Sequence, residues 1–178
     1  LRARAISLVE RGLDLCPEEE KGLRLALWQN LGSLHFSLGE YGAPRAMEAW
    51  AERFALDSTF THPTQRLHFI RDFGTALHWN AEYAAAQNLL EEARDLAESQ
   101  GESLQAQRIR ARLALLMYER KDYPAALRAF ESLLESEVQG GQRAFLLRNI
   151  ALTQSALGRR EEVRAALDQA AVAAQKSE

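Results

Sequence analysis

Apolar residues recur along this chain every three to four positions, in long stretches divided by short breaks rich in Gly, Pro and charged residues. That period matches an amphipathic helix and not the alternation of a strand. It predicts nine helices, at 2–15, 22–38, 44–57, 64–80, 83–99, 102–120, 123–137, 141–157 and 160–176. The breaks have chemical causes. Pro17 ends the first apolar stripe. Pro44, Pro63 and Pro124 stand where a first helical turn tolerates a missing N–H. Asp122, ahead of Tyr123-Pro124, is placed to cap the seventh helix. Gly39, Gly42, Gly101, Gly140-Gly141 and Gly158 mark the other turns. Because the connectors are short, neighbouring helices are expected to pack as antiparallel hairpins.

The hairpins repeat. Phe73-Gly74 is followed ten residues later by Tyr83, then by Ala86, Leu90 and Ala93. Leu113-Ala114 is followed ten residues later by Tyr123, then by Ala126, Phe130 and Leu133. Ile150-Ala151 leads to Gly158, Val163, Leu167 and Ala170, and Leu31-Gly32 leads to Tyr41, Ala46 and Trp50. Small residues at 32, 74, 114 and 151 let two helices approach, and Ala46, Ala86 and Ala126 answer them on the facing helix. Large residues at 50, 90, 130 and 167 then fill the space between hairpins.

This pattern resembles the tetratricopeptide repeat, a helix–turn–helix unit of about 34 residues. Trp28-x₂-Leu31-Gly32 reproduces the opening of its signature, and Ala46-x₃-Trp50, Ala86-x₃-Leu90-x₂-Ala93 and Ala126-x₃-Phe130 its second half. The matched positions 31, 73, 113 and 150 lie further apart than the family unit. That is similar to the longer-repeat branch found in kinesin light chains and bacterial MalT-type regulators. The resemblance implies an all-α fold, an α-solenoid wound as a right-handed superhelix. It would form one array: a truncated repeat over 1–20, then repeats over 22–60, 63–100, 102–139 and 141–177. Ala5-x₃-Val9-x₂-Gly12, closed by Pro17, reads as the second helix of the truncated unit, and the chain opens on Leu1 already in helical pattern. We therefore expect a piece of a longer protein.

Composition sharpens the picture. Ala fills 30 positions and Leu 28, against 13 for Val, Ile and Thr together, which favours helix and disfavours sheet folds. With 47% hydrophobic residues and a net charge of −3, the chain can build a core and lacks the basic excess of a general nucleic-acid binder. No apolar run nears the roughly 20 residues that span a bilayer. The single cysteine, Cys16, allows neither an internal disulfide nor a Cys-based zinc site. A cytoplasmic setting and no cofactor are expected.

Candidate chemistry is sparse. His35, His62, His68 and His78 have no metal-ligand spacing. The pairs Glu91-Glu92 and Glu161-Glu162 read as solvated helix faces, and no phosphate or dinucleotide fingerprint occurs. No metal site, no catalytic residue and no enzymatic activity are expected. The resemblance places binding on the first helix of each hairpin, which lines the concave face of such arrays. There the candidate protein-binding residues are Arg71, Thr75, His78, Trp79, Arg108, Arg112, Tyr118 and Arg148. Taken singly, each suits a solvated helix face or an inter-helix contact. Together, Arg and aromatic side chains suit a peptide bearing carboxylates. Some relatives hold chaperone tails with a two-carboxylate clamp. The corresponding positions here are Gln29, Ser33, Asp72, Arg108 and Arg112, and Asp72 opposes that use.

The expected function is a non-catalytic protein–protein interaction module that binds a peptide or helical segment in its groove, within a larger bacterial regulatory or signalling protein. The alternative is a structural spacer or a self-association module, dimerising through terminal helices. No membrane partner is expected, and nucleic acid is disfavoured.

Overall fold

The computed structural model describes residues 2–39, 49, 52, 63–136 and 140–175. Among these residues there are eight helices and no strand. They are α1 (Arg2–Leu15), α2 (Lys21–Ser37), α3 (Pro63–Trp79) and α4 (Tyr83–Ser99), then α5 (Ser103–Glu119), α6 (Tyr123–Glu135), α7 (Gly140–Ala156) and α8 (Arg160–Gln175). The helix expected over 44–57, with Tyr41, Ala46 and Trp50 of its repeat, lies outside the described residues. Ala49 and Glu52 are helical. The other eight expected helices are present, with ends displaced by at most two residues. Gly140-Gly141 is not the turn its composition suggests but the start of α7. The chain forms two compact units, Leu1–Leu96 and Ala97–Glu178.

In the first unit, Leu13 of α1 packs with Trp28 and Leu31 of α2 and with Ala49. Ile6, Val9 and Leu27 fill in around them. Arg24 anchors the end of α1 by donating from Nη1 to the Cys16 carbonyl at 3.0 Å. Gly74 of α3 shows why the repeat needs a small residue there. A Cβ at that position would lie 3.0 Å from Leu90 Cγ and 3.3 Å from Leu89 Cβ on α4. The α3 and α4 backbones come that close because no side chain separates them. Arg66 and Glu92 add an ion pair of 2.6 Å between the same two helices.

The second unit has its core where α5, α6 and α7 meet. Ala114, Ala126, Leu127, Phe130, Leu146 and Ile150 are all buried in one cluster. Asp122 caps α6 as its position predicts, accepting from the Ala125 N–H at 3.2 Å. The middle helix, α7, packs against both α6 and α8. It buries polar groups as well as apolar ones: Asn149 donates to the Phe145 carbonyl at 2.8 Å, and Thr153 to the Asn149 carbonyl at 2.7 Å. Those bonds to the preceding turn let polar side chains sit where no water reaches them.

The turns inside three hairpins close alike. After α3, Ala81 N–H bonds to the His78 carbonyl and Glu82 N–H to the Leu77 carbonyl. After α5, Lys121 bonds to Tyr118 and Asp122 to Met117; after α7, Gly158 bonds to Ser155 and Arg159 to Gln154. This is the helix-ending arrangement that requires one left-handed residue. Gly158 supplies it freely at φ 76°, whereas Ala81 and Lys121 adopt φ 62° and 65° against the steric preference of an L residue.

Candidate binding site

Positions forty apart correspond between the α3–α4 and α5–α6 hairpins, as Phe73 and Leu113 do. The correspondence extends to geometry. His78 tilts against Tyr83 at 6.1 Å between ring centroids and 57° between planes, and Tyr118 tilts against Tyr123 at 5.4 Å and 59°. In each hairpin the last turn of one helix is clasped to the first turn of the next by a ring pair.

The candidate residues of the first unit are only partly surface groups. Arg71 is half-buried and forms an ion pair with its neighbour Asp72: Nε donates at 2.8 Å and Nη2 lies 2.7 Å from the same carboxylate oxygen. Thr75 is buried, and its hydroxyl donates to the Arg71 carbonyl at 2.8 Å. His78 is buried too, stacked on Trp79 at 5.8 Å. Trp79 is 58% exposed and offers a flat apolar surface at the helix end.

The second unit brings two of its candidates together. Arg108 and Arg112 lie one helical turn apart on α5 and line a cavity of about 500 Å³. Leu104 and Ala111 complete the α5 wall, and Gly141, Gln142 and Phe145 of α7 form the opposite one. Arg108 is exposed and Arg112 half-buried. The Gln142 Nε2 atom is buried, with no hydrogen-bond partner among the described residues. Arg148 meets this site only through Phe145, its guanidinium 5.7 Å from the ring centroid. Tyr118 stays with Tyr123, three turns along α5 from Arg108. Among the described lining residues there is no Asp or Glu, so the cavity presents donors and apolar walls.

Leu104, Gly141 and Gln142 were not anticipated. Gly140-Gly141 opens α7 one residue ahead of the expected start at 141, and Gln142 stands in that helix's first turn, as the expected span implies. Among the described residues, no group of three His, Cys, Asp or Glu side chains is placed to hold a metal ion, and no helix is long and apolar enough to cross a membrane.

No protein-family model and no curated protein matches the sequence. Solved structures do match. A kinesin-light-chain-like protein of Podosopora anserina, with nearly identical TPR-like repeats, superposes with TM-score 0.75 at 18% identity. The match covers 99% of this chain and 89% of that one. This chain has the tetratricopeptide-like fold. MamA matches with TM-score 0.68 at 19% identity, over 97% of this chain and 88% of its own. YrrB, described as a TPR protein with an unusual peptide-binding site, matches with TM-score 0.63 at 17% identity, over 96% and 80%. In this tetratricopeptide-like chain, α3, α5 and α7 open the hairpins that α4, α6 and α8 close, so the cavity lies between the first helices of two successive hairpins.

Proposed function

We propose that this chain is a non-catalytic protein–protein interaction module that binds a peptide or helical segment rich in carboxylates. The proposed sites lie on α3 and α5, with Arg148 on α7. Arg71, Thr75, His78 and Trp79 belong to one site, and Arg108, Arg112 and Tyr118 to the other. The observation that carries this reading is the cavity between α5 and α7, with two guanidiniums, an aromatic wall and no carboxylate among its described lining. Arginine and aromatic side chains are the groups that most often dominate binding surfaces. YrrB, of the same fold, is described as having a peptide-binding site.

We assign repeats to 22–60, 63–100, 102–139 and 141–177, after a partial unit over 1–20. The setting we favour is a larger bacterial regulatory or signalling protein in the cytoplasm. The test is an array of acidic, neutral and basic peptides probed with the chain and with an Arg108→Glu/Arg112→Glu variant. Acidic peptides should bind, and the variant should lose about tenfold or more of that affinity. Retention by a variant that is still folded would remove the cavity from the binding site.

A second reading, self-association, has one observation in its favour. On α8, Leu167 is 47% exposed and Val172 51%. Sedimentation of the chain over a hundredfold concentration range separates the two: a constant monomer mass excludes self-association.

A further inference from the structure

Two helices, one in each unit, turn a patterned face to solvent. On α1, Arg4, Leu8, Arg11 and Leu15 are exposed, Leu8 at 60% and Leu15 at 79%. Spaced by four, three and four residues, they form one stripe along the helix. The buried Leu13 lies on the opposite side. On α8, Glu161, Ala165, Asp168 and Val172 are exposed at the same spacing. There Val163 and Ala166 point the other way, into the core. None of the four charged side chains forms an ion pair among the described residues.

The two stripes match in sense and register. Set parallel, Arg4 meets Glu161 and Arg11 meets Asp168, while Leu8 meets Ala165 and Leu15 meets Val172. Every charge then finds its opposite, and every apolar residue an apolar one. Set antiparallel, Leu8 would face Asp168 and Leu15 would face Glu161. Neither stripe suits a copy of itself. Parallel pairing would stack like charges, and antiparallel pairing would set each charge on an apolar residue. Like charges in contact are destabilising, and a charge desolvated against an apolar group gains nothing for the loss of its water.

We infer that the partner of these faces is a second copy of this chain, with α1 of one copy docked parallel on α8 of the next. This deepens the self-association reading and rests on it. The interface is heterologous, so association proceeds past a pair unless the contacts close as a ring. The paired stripes run along about 16 Å of each helix. A contact of that size falls in the weak, transient class. Its exposed ion pairs make it sensitive to salt.

The experiment is sedimentation equilibrium of the whole chain over a hundredfold concentration range, at low and high salt. Two charge-reversed variants are compared with it: Arg4→Glu/Arg11→Glu, and Glu161→Arg/Asp168→Arg. All four positions are exposed, so both variants should keep the helical circular dichroism of the original. The mean mass of the original chain should rise with concentration and fall when salt is added. Each variant alone should associate about tenfold or more weakly. An equimolar mixture of the two should regain association, because the reversed α1 face of one meets the reversed α8 face of the other. A constant monomer mass for the original chain overturns this inference and the self-association reading together. Association that both variants retain, or a mixture that stays monomeric, overturns the pairing of α1 with α8 and leaves self-association through another surface standing.

Discussion

The α3–α4 and α5–α6 hairpins share one frame and use it for opposite ends. At corresponding positions they carry Gly74 and Ala114, Leu90 and Phe130, and the ring pairs His78/Tyr83 and Tyr118/Tyr123. Among the places where they part, one bears on binding. Where α5 has Ala111-Arg112, α3 has Arg71-Asp72, and the adjacent carboxylate takes the guanidinium. On α5, Arg112 lines a cavity between α5 and α7. The frame is set by small and large apolar residues, whose burial dominates folding energy. Exposed faces cost little to vary, so two units of one fold can present a neutralised pair and a donor-lined socket.

The comparison can be broken at the large buried residues first. Phe130 and Leu90 are fully buried, whereas Leu167, at the corresponding position of α8, is half exposed. Phe130→Ala should cost about 3–5 kcal/mol and Leu90→Ala about 2–5 kcal/mol in urea unfolding. Leu167→Ala should cost far less; an equal loss there would mean that α8 is covered in solution. Next comes the close approach. Gly74→Leu forces a side chain against Leu90 and Leu89, and should cost about 1–3 kcal/mol by overpacking. An unchanged Tm would show that α3 and α4 are not held that close.

The turns give smaller effects of opposite sign. Gly158→Ala puts a Cβ on a left-handed residue and should destabilise by about 1 kcal/mol. Lys121→Gly and Ala81→Gly relieve that conformation in the matching turns. Each should gain about 0.5 kcal/mol once the added freedom of the unfolded chain is deducted. Differential scanning calorimetry reads both directions. The smallest effect is expected from the charge pair. Asp72→Ala removes a partly exposed ion pair of neighbouring residues and should change stability by less than about 1 kcal/mol. Its use is in binding. If freeing Arg71 raises affinity for acidic peptides, the α3 face is a suppressed copy of the α5 face. If not, the two faces differ by more than one charge.

Much of the fold was legible because it rests on local chemistry. Proline positions, the Asp122 cap and the three-to-four periodicity each act within one or two turns, and eight of the nine helices they predict are present among the described residues. Trp28, Leu31, Ala86, Leu90, Ala126 and Phe130 are buried where the repeat pattern sets them. The inner face of the last helix was less legible. Ala171 and Ala174 share its periodicity, but Ala166 and Ala173 are the residues buried, with Val163 packed beside them. With alanine on several faces, composition does not tell which one turns inward. The candidate site was read in part. Arg108 and Arg112 do line one cavity, while Thr75 and His78 are buried in their own hairpin. Gln142 escaped notice although the helix expected over 141–157 already contained it, because a single uncharged amide carries no signal in a sequence.

The sequence by itself determined where the described helices begin and end to within two residues, and which residues are small enough for close approach. These depend on covalent geometry and on neighbours within a few positions. Only the tertiary structure decided that Leu167 is left half exposed, and that Arg108, Arg112 and Gln142 share one cavity. Those outcomes depend on which surfaces meet. An arginine's partner is chosen by whatever carboxylate or cavity packing brings within a few ångströms, and no helical period encodes that distance.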